Sequence, residues 1–207
     1  MAYVLGFWFA DGYMRKEKSY RITISGNDKE ILIKIRDAMN SKHPIRFTDN
    51  KKEVCHFVSF CSKKLFNDLA SLGGFRKKST TVTFPYVPKK FLPDFIRGYF
   101  DGDGSVFFVK YIRTKDKRLT TELRTNFTSG SINFLTSLMF ILNKNIGLPI
   151  KQIGAYNNAR SLKLGYGMKD SDTLLHYMYY QGFPIGMNRK SIFLSKIPKY
   201  QRHNVTV

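Results

Sequence analysis

The sequence predicts an α+β fold built from two pseudo-symmetric halves, each running α-β-β-α-β-β-α. Three observations predict it: a gapless internal repeat of an apolar, glycine-marked segment that ends in Asp-Gly, strand-like alternation followed by helical periodicity after each copy, and a short proline-rich stretch between the copies. The 207 residues suit one large domain or two small ones. A content of 43% hydrophobic and 15% aromatic residues excludes a disordered chain.

The repeat opens each half. Leu5 to Gly12 (LGFWFADG) aligns with Arg97 to Gly104 (RGYFDGDG). In both copies a glycine (Gly6, Gly98) is followed four residues later by a small residue (Ala10, Gly102) and then by Asp-Gly (Asp11 and Gly12, Asp103 and Gly104). Val4–Phe9 alone could be a buried strand, and its match to the longer Phe91–Phe100 run makes it a helix. Residues four apart share a helix face. Gly6 with Ala10, and Gly98 with Gly102, would therefore let the two motif helices approach backbone to backbone. Gly12 and Gly104 suit the left-handed position past a helix C-terminus, which puts Asp11 and Asp103 in the last turns.

The following elements repeat more loosely. Ser19–Ser25 and Glu122–Thr128 alternate polar and apolar residues as half-buried strands do. Helices follow over Asp28–Asn40, N-capped by Asn27 or Asp28, and over Ile132–Asn143, N-capped by Ser131. Ile45–Thr48 and Val54–Phe60 flank Asp49–Lys52 as a hairpin, and Ile150–Gly154 and Ser161–Tyr166 flank Asn157 and Asn158. Leu65, Leu69 and Leu72 then share a helix face, as do Leu174, Leu175 and Met178. Ser25-Gly26 matches Ser129-Gly130, and Lys78-Ser79 matches Lys190-Ser191. The second copy is longer, mainly around Lys115–Arg118, which reads as a hairpin tip. Phe84–Pro93 is proline-rich and leads into the second motif helix. The halves are thus 1–84 and 91–207, with 85–90 as linker.

Charge selects the partner class. Lys and Arg number 35 against 15 Asp and Glu, a formal charge of +20, which points to a polyanion, nucleic acid ahead of an acidic membrane surface. The apolar stretches Ala2–Ala10 and Phe134–Leu142 are too short to span a bilayer, and Asp11 ends the first, a poor signal peptide. Two cysteines, Cys55 and Cys61, imply a reducing, intracellular compartment rather than a disulfide scaffold. If the motif helices pack together, Asp11 and Asp103 meet at two negative helix ends and call for a cation. Mg²⁺ takes one or two carboxylates together with water and phosphate oxygens.

On these residues the chain resembles the LAGLIDADG homing endonucleases in their single-chain, two-motif form. The resemblance covers essentially all 207 residues. Ile96–Gly104 and its lead-in from Pro85 to Phe95 are close to the family pattern. Val4–Gly12 departs from it at Phe9, where the second copy has Asp101. The resemblance implies an α+β fold whose motif helices pack at a central seam, with two antiparallel sheets of about four strands forming a saddle over duplex DNA. It implies that the last acid of each motif, Asp11 and Asp103, binds Mg²⁺ or Mn²⁺ shared with the scissile phosphates, with the carbonyls of Ala10 and Gly102 as further ligands. It further implies one cut on each strand across the minor groove, leaving short 3′ overhangs. Basic residues that order water are a further family feature, and Lys78 and Lys190 fit it. Lys29 has only Asn133 opposite and ranks below them.

The polar sides of the strands should read sequence: Arg21, Thr23, Ser25, Arg46 and Thr48 in the first half, and Arg124, Asn126, Thr128, Lys151 and Lys163 in the second. Such groups hydrogen-bond base edges from a β-ribbon in the major groove. Because the halves differ, the expected partner is a long asymmetric duplex of roughly 20 base pairs, bound by a monomer. Two other readings use the same surface: an RNA maturase acting on intron RNA, and a DNA-binding regulator that has lost cutting. Retention of both acids speaks against the regulator.

Overall fold

The computed structural model describes residues 1–50, 53–74, 81–156 and 161–201. The first half runs α1 (Ala2–Asp11), β1 (Gly12–Lys16), β2 (Tyr20–Gly26), α2 (Lys29–Ala38), β3 (Arg46–Asn50), β4 (Glu53–Cys61) and α3 (Lys63–Ser71). A 3₁₀ turn at Lys89–Phe91 leads into the second: α4 (Leu92–Asp103), β5 (Gly104–Ile112), β6 (Leu119–Ser129), α5 (Ile132–Ile146), β7 (Gly154–Tyr156), β8 (Ser161–Tyr166) and α6 (Met168–Met178). Two helices then follow, α7 (Asn188–Ser191) and α8 (Phe193–Gln201).

Local chemistry sets the helix ends. Asp28 accepts the amides of Glu30 and Ile31, Ser62 that of Leu65 and Ser131 that of Phe134, each satisfying donors that an unfinished first turn leaves open. α5 stops at Gly147, whose φ of 69° is the left-handed conformation glycine adopts freely. The strands form two antiparallel sheets of one topology, β1-β2-β4-β3 and β5-β6-β8-β7. Each buries one face under helices. In the first, Ile22, Ile24 and Val58 join a core with Ile31, Leu32 and Ile35; in the second, Leu123, Phe127 and Leu164 join Phe134, Leu135 and Leu138.

The two units meet through α1 and α4, the most extensive contact between any two elements. A Cβ on Gly6 would overlap the carbonyl oxygen of Phe95, and one on Gly98 that of Tyr3. In the repeat alignment Phe95 is the equivalent of Tyr3, so the two glycines make the same contact in exchanged roles, as a pseudo-two-fold axis requires.

Several expectations are corrected. Gly12 and Gly104 are extended, with φ of −94° and −95°, and pass directly into β1 and β5. Glycine is needed there because a Cβ would strike the ring of Trp8 or Phe100, one turn back. The strand expected at Ile150–Gly154 lies at Gly154–Tyr156, because the preceding segment is tied to α5 instead: Asn143 Nδ2 donates to the Leu148 carbonyl and the Lys151 amide to Met139 Sδ. α7 and α8 have no counterpart in the seven-element plan. The turn residues Lys51 and Lys52, and Asn157 and Asn158, lie outside the described residues. No described helix is long and apolar enough to cross a membrane.

Candidate functional site

Asp11 and Asp103 are the last residues of α1 and α4. Two groups sense both acids. Burial pushes the Tyr99 hydroxyl well above its usual range, and Asp103 and then Asp11 push it further. The same two carboxylates attract the Lys190 ammonium and hold its pKa up against the effect of burial. The acids therefore share one locality at the negative ends of two packed helices. Gly102 makes room there, since a Cβ on it would overlap that of Ala10 and stand 2.9 Å from Asp11 Oδ2. Ser25 Oγ donates to the Asp11 carbonyl at 3.1 Å and so supports the end of α1 rather than projecting freely from its strand.

Lys190, on α7, is buried, and its ammonium donates to the carbonyls of Phe100, Asp101 and Gly104 at 2.5, 2.8 and 2.7 Å. All three donors of the ammonium are thereby directed at the carbonyls that end α4. Burial pushes its pKa down to about 8, with Asp101 as the strongest opposing pull. Asp101, also buried, accepts Tyr3 Oη at 2.8 Å, Tyr179 Oη at 2.5 Å and the Met187 amide at 2.9 Å. Its burial raises its pKa, while Tyr179, Lys190, Met187 and Tyr3 all work the other way. The expectation for Lys78 falls outside the described residues.

A cleft of about 830 Å³ opens beside Asp11, bordered by Asn27, Asp28, Lys29, Gly102 and Arg189. Sequence reasoning did not single out Arg189 or Asp28, both of which border this cleft. Adjacency to Lys190 was a usable signal for the first, and Asp28 was read only as a cap. The second half has Ile132, Asn133 and Phe134 where the cleft has Asp28, Lys29 and Glu30, so the two sides of the seam differ in charge.

Of the residues expected to face a duplex, Arg21, Arg46, Thr48 and Arg124 are exposed. Arg124 is paired with Glu122 at 3.0 Å. Asn126 donates to Ser105 at 3.4 Å, Lys163 stands over the Tyr156 ring, and Thr128 is half-buried. Two depart from expectation. Thr23 is 1% exposed, its hydroxyl bonded to Ser59 at 2.9 Å across the β2–β4 pair. Lys151 is off the sheet and reaches Asp170 of α6 at 3.5 Å.

The donor set fits a hard divalent ion. Asp11 and Asp103 supply two carboxylates, with the Ala10 and Gly102 carbonyls adjacent in sequence. Among the described residues no group of three or more His, Cys, Asp or Glu could enclose a metal without outside oxygens. Two carboxylates completed by water and phosphate oxygens is the usual arrangement for Mg²⁺.

No family model matches the chain. The DNA-directed RNA polymerase subunit Rpo1C of Methanocaldococcus jannaschii is 32% identical over 108 residues, which make up 50% of this chain and only 12% of that protein's length. Solved structures align over nearly the whole chain. The LAGLIDADG homing endonuclease I-LtrWI bound to target DNA superposes with a TM-score of 0.66 at 12% identity, covering 98% of this chain and 90% of that one. The meganuclease I-AabMI bound to uncleaved DNA gives 0.63 at 11%, covering 97% and 90%. I-SmaMI, bound to an uncleaved DNA target in the presence of calcium ions, gives 0.62 at 13%, covering 98% and 92%. Two equivalent halves, two like-ordered sheets and a motif helix from each half at the seam account for that agreement: the chain has the two-half α+β fold of the LAGLIDADG homing endonucleases.

Proposed function

We propose that this protein is a site-specific DNA endonuclease making metal-dependent double-strand cuts at a long asymmetric duplex, as in intron homing. The observation that carries the reading is the convergence of Asp11 and Asp103 at the ends of two helices related by a pseudo-two-fold axis, between two sheets of a strongly basic chain. The DNA-bound structures it resembles, one of them determined with calcium ions, support the substrate and the need for a divalent ion.

Asp11 and Asp103 would hold Mg²⁺ or Mn²⁺, with the Ala10 and Gly102 carbonyls as further donors. When bound, the ion supplies a water of lowered pKa and neutralises charge at the phosphate. The protein's own groups set the geometry. Gly102 leaves space for the Asp11 carboxylate, Ser25 fixes the Asp11 carbonyl, and Lys190 fixes the carbonyls around Asp103. Arg21, Arg46, Thr48 and Arg124, exposed on their strands, would meet phosphates and base edges.

Cleavage selection from a randomised duplex library with Mg²⁺ should recover one long site. On that site Asp11→Asn or Asp103→Asn should lower double-strand cutting by at least about 10³-fold while binding persists. Undiminished cutting by either variant would overturn the site assignment. Binding should also weaken with salt at a slope of about −0.9 per neutralised phosphate, and a flat response would remove DNA as the partner.

A further inference from the structure

We propose that the β5–β6 hairpin grips duplex DNA beyond the reach of β1–β2, so that the target extends about four base pairs further on the side held by the second half. The proposal rests on the endonuclease reading and adds where its site ends.

Both hairpins start at the same place, on the glycine that follows a seam acid: Gly12 pairs with Ile24 and Gly104 with Phe127. β1 then runs five residues and β5 nine. Pairing continues to Lys16 with Tyr20 in the first half and to Ile112 with Leu119 in the second. The four extra residues therefore lie at the far end, adding about 14 Å at roughly 3.4 Å per residue. That matches about four base pairs at roughly 3.4 Å each.

The extension does not serve the core. Ile112 and Leu119 lie on the face that nearer the seam is covered by helices, yet they are 65% and 71% exposed. On the opposite face Tyr111 stands beside Thr120, in line with Phe107 and Arg124. From residue 110 to 118 the chain carries Lys110, Arg113, Lys115, Lys117 and Arg118 against Asp116 alone. The tip is closed by Arg113 N–H donating to the Arg118 carbonyl and Lys117 N–H to that of Arg113, both at 2.9 Å. Lys117 has a φ of 56°, a left-handed conformation cheaper for glycine or asparagine. A cation therefore occupies a turn position that backbone economy would give to an uncharged residue. A protruding, cationic two-stranded ribbon has the shape and charge that a DNA groove and its phosphates accept.

The test uses the full chain on its selected site, without divalent ion. Hydroxyl-radical footprinting should show protection reaching about four base pairs further from the centre on one side. The quadruple variant Arg113→Gln, Lys115→Gln, Lys117→Gln and Arg118→Gln, with unchanged circular dichroism, should shorten that edge alone. It should also flatten the salt slope by about 0.9 for each phosphate the variant leaves unneutralised. Equal protection on both sides, or a variant that alters neither edge nor slope, overturns the proposal and leaves the endonuclease reading intact. Failure to find any protected site overturns both.

Discussion

Two equivalent positions at the seam are filled with opposite chemistry. Tyr3 of α1 reaches Asp101 of α4 through a hydrogen bond of 2.8 Å, whereas its counterpart Phe95 of α4 meets Phe9 of α1 ring edge to ring at 5.6 Å. The backbones around them are alike, since Gly6 and Gly98 press on the Phe95 and Tyr3 carbonyls. A neighbouring pair repeats the contrast. Arg97 is fully buried, donating to the Met178 and Ile185 carbonyls at 2.7 Å and to Asp94 at 2.6 Å, with the rings of Tyr3, Tyr180 and Phe183 around it. Its counterpart Leu5 borders a largely apolar cavity of about 480 Å³ with Trp8, Leu69, Leu72 and Val87. Close glycine packing preserves the axis, and the side chains beside it are then free to diverge. In the second half they form a buried polar network that holds the segment from Met178 to Lys190; in the first they are apolar and border an open groove.

Imposing the second half's chemistry on the first should break the protein. Phe9→Asp buries a carboxylate among the rings of Trp8, Phe95 and Phe134. The expected loss exceeds about 4 kcal/mol, enough to leave the chain unfolded at 37 °C in a thermal melt. Adding Phe95→Tyr recreates the Tyr3–Asp101 pair in exchanged roles and should recover about 1–3 kcal/mol in a double-mutant cycle. No recovery would mean that the two positions are not equivalent.

The reverse change should cost somewhat less. Arg97→Leu gives the second half the first half's residue but strands the buried Met178 carbonyl, the half-buried Ile185 carbonyl and Asp94. A loss of about 3 kcal/mol is expected in urea denaturation, together with faster proteolysis between Met178 and Ile185. A loss below about 1 kcal/mol would show that the aromatic packing alone holds that segment.

Much of this plan was legible in the sequence. The gapless repeat fixed the two motif helices, their glycine faces and the terminal acids, because small residues four apart have few other uses. Asp28 and Ser131 were readable as caps because they precede helical periodicity. What escaped depends on long-range partners. Gly12 looked like a left-handed cap, whereas the reason for glycine there is the Trp8 ring, and which ring lies over a backbone is not written in local spacing. Thr23 sits in a polar alternation, but its burial follows from Ser59 on a strand paired 36 residues away. Asp101 and Arg97 read as motif residues of no special weight, because Tyr179, Met187 and Ile185 return to them from more than 75 residues downstream.

Asp101→Asn tests whether the polar network serves the site as well as stability. Asparagine keeps the volume but places an amide against at least one of three donors, so a loss of about 2 kcal/mol is expected. If the network positions Lys190 and through it the end of α4, cutting should slow about tenfold with DNA affinity within about twofold. Lys190→Met should slow it similarly, and the two changes together should not multiply, as for residues acting as one unit. Fully multiplied effects would separate Asp101 from Lys190.

The smallest expected effect lies at the apolar groove beside Leu5. Leu5→Phe directs a larger side chain toward the cavity bounded by Trp8, Leu69 and Val87, without touching the seam acids. If that space is free for packing, the variant should gain up to about 1 kcal/mol, visible as a rise of roughly 2–4 °C in Tm for a chain of this size. Arg97→Lys, its opposite number, should lose stability instead, because an ammonium cannot serve two carbonyls and a carboxylate in the planar array that a guanidinium offers. If Leu5→Phe costs about 1–3 kcal/mol, as overpacking does, then both halves are filled to the same density and the contrast between them is one of polarity alone.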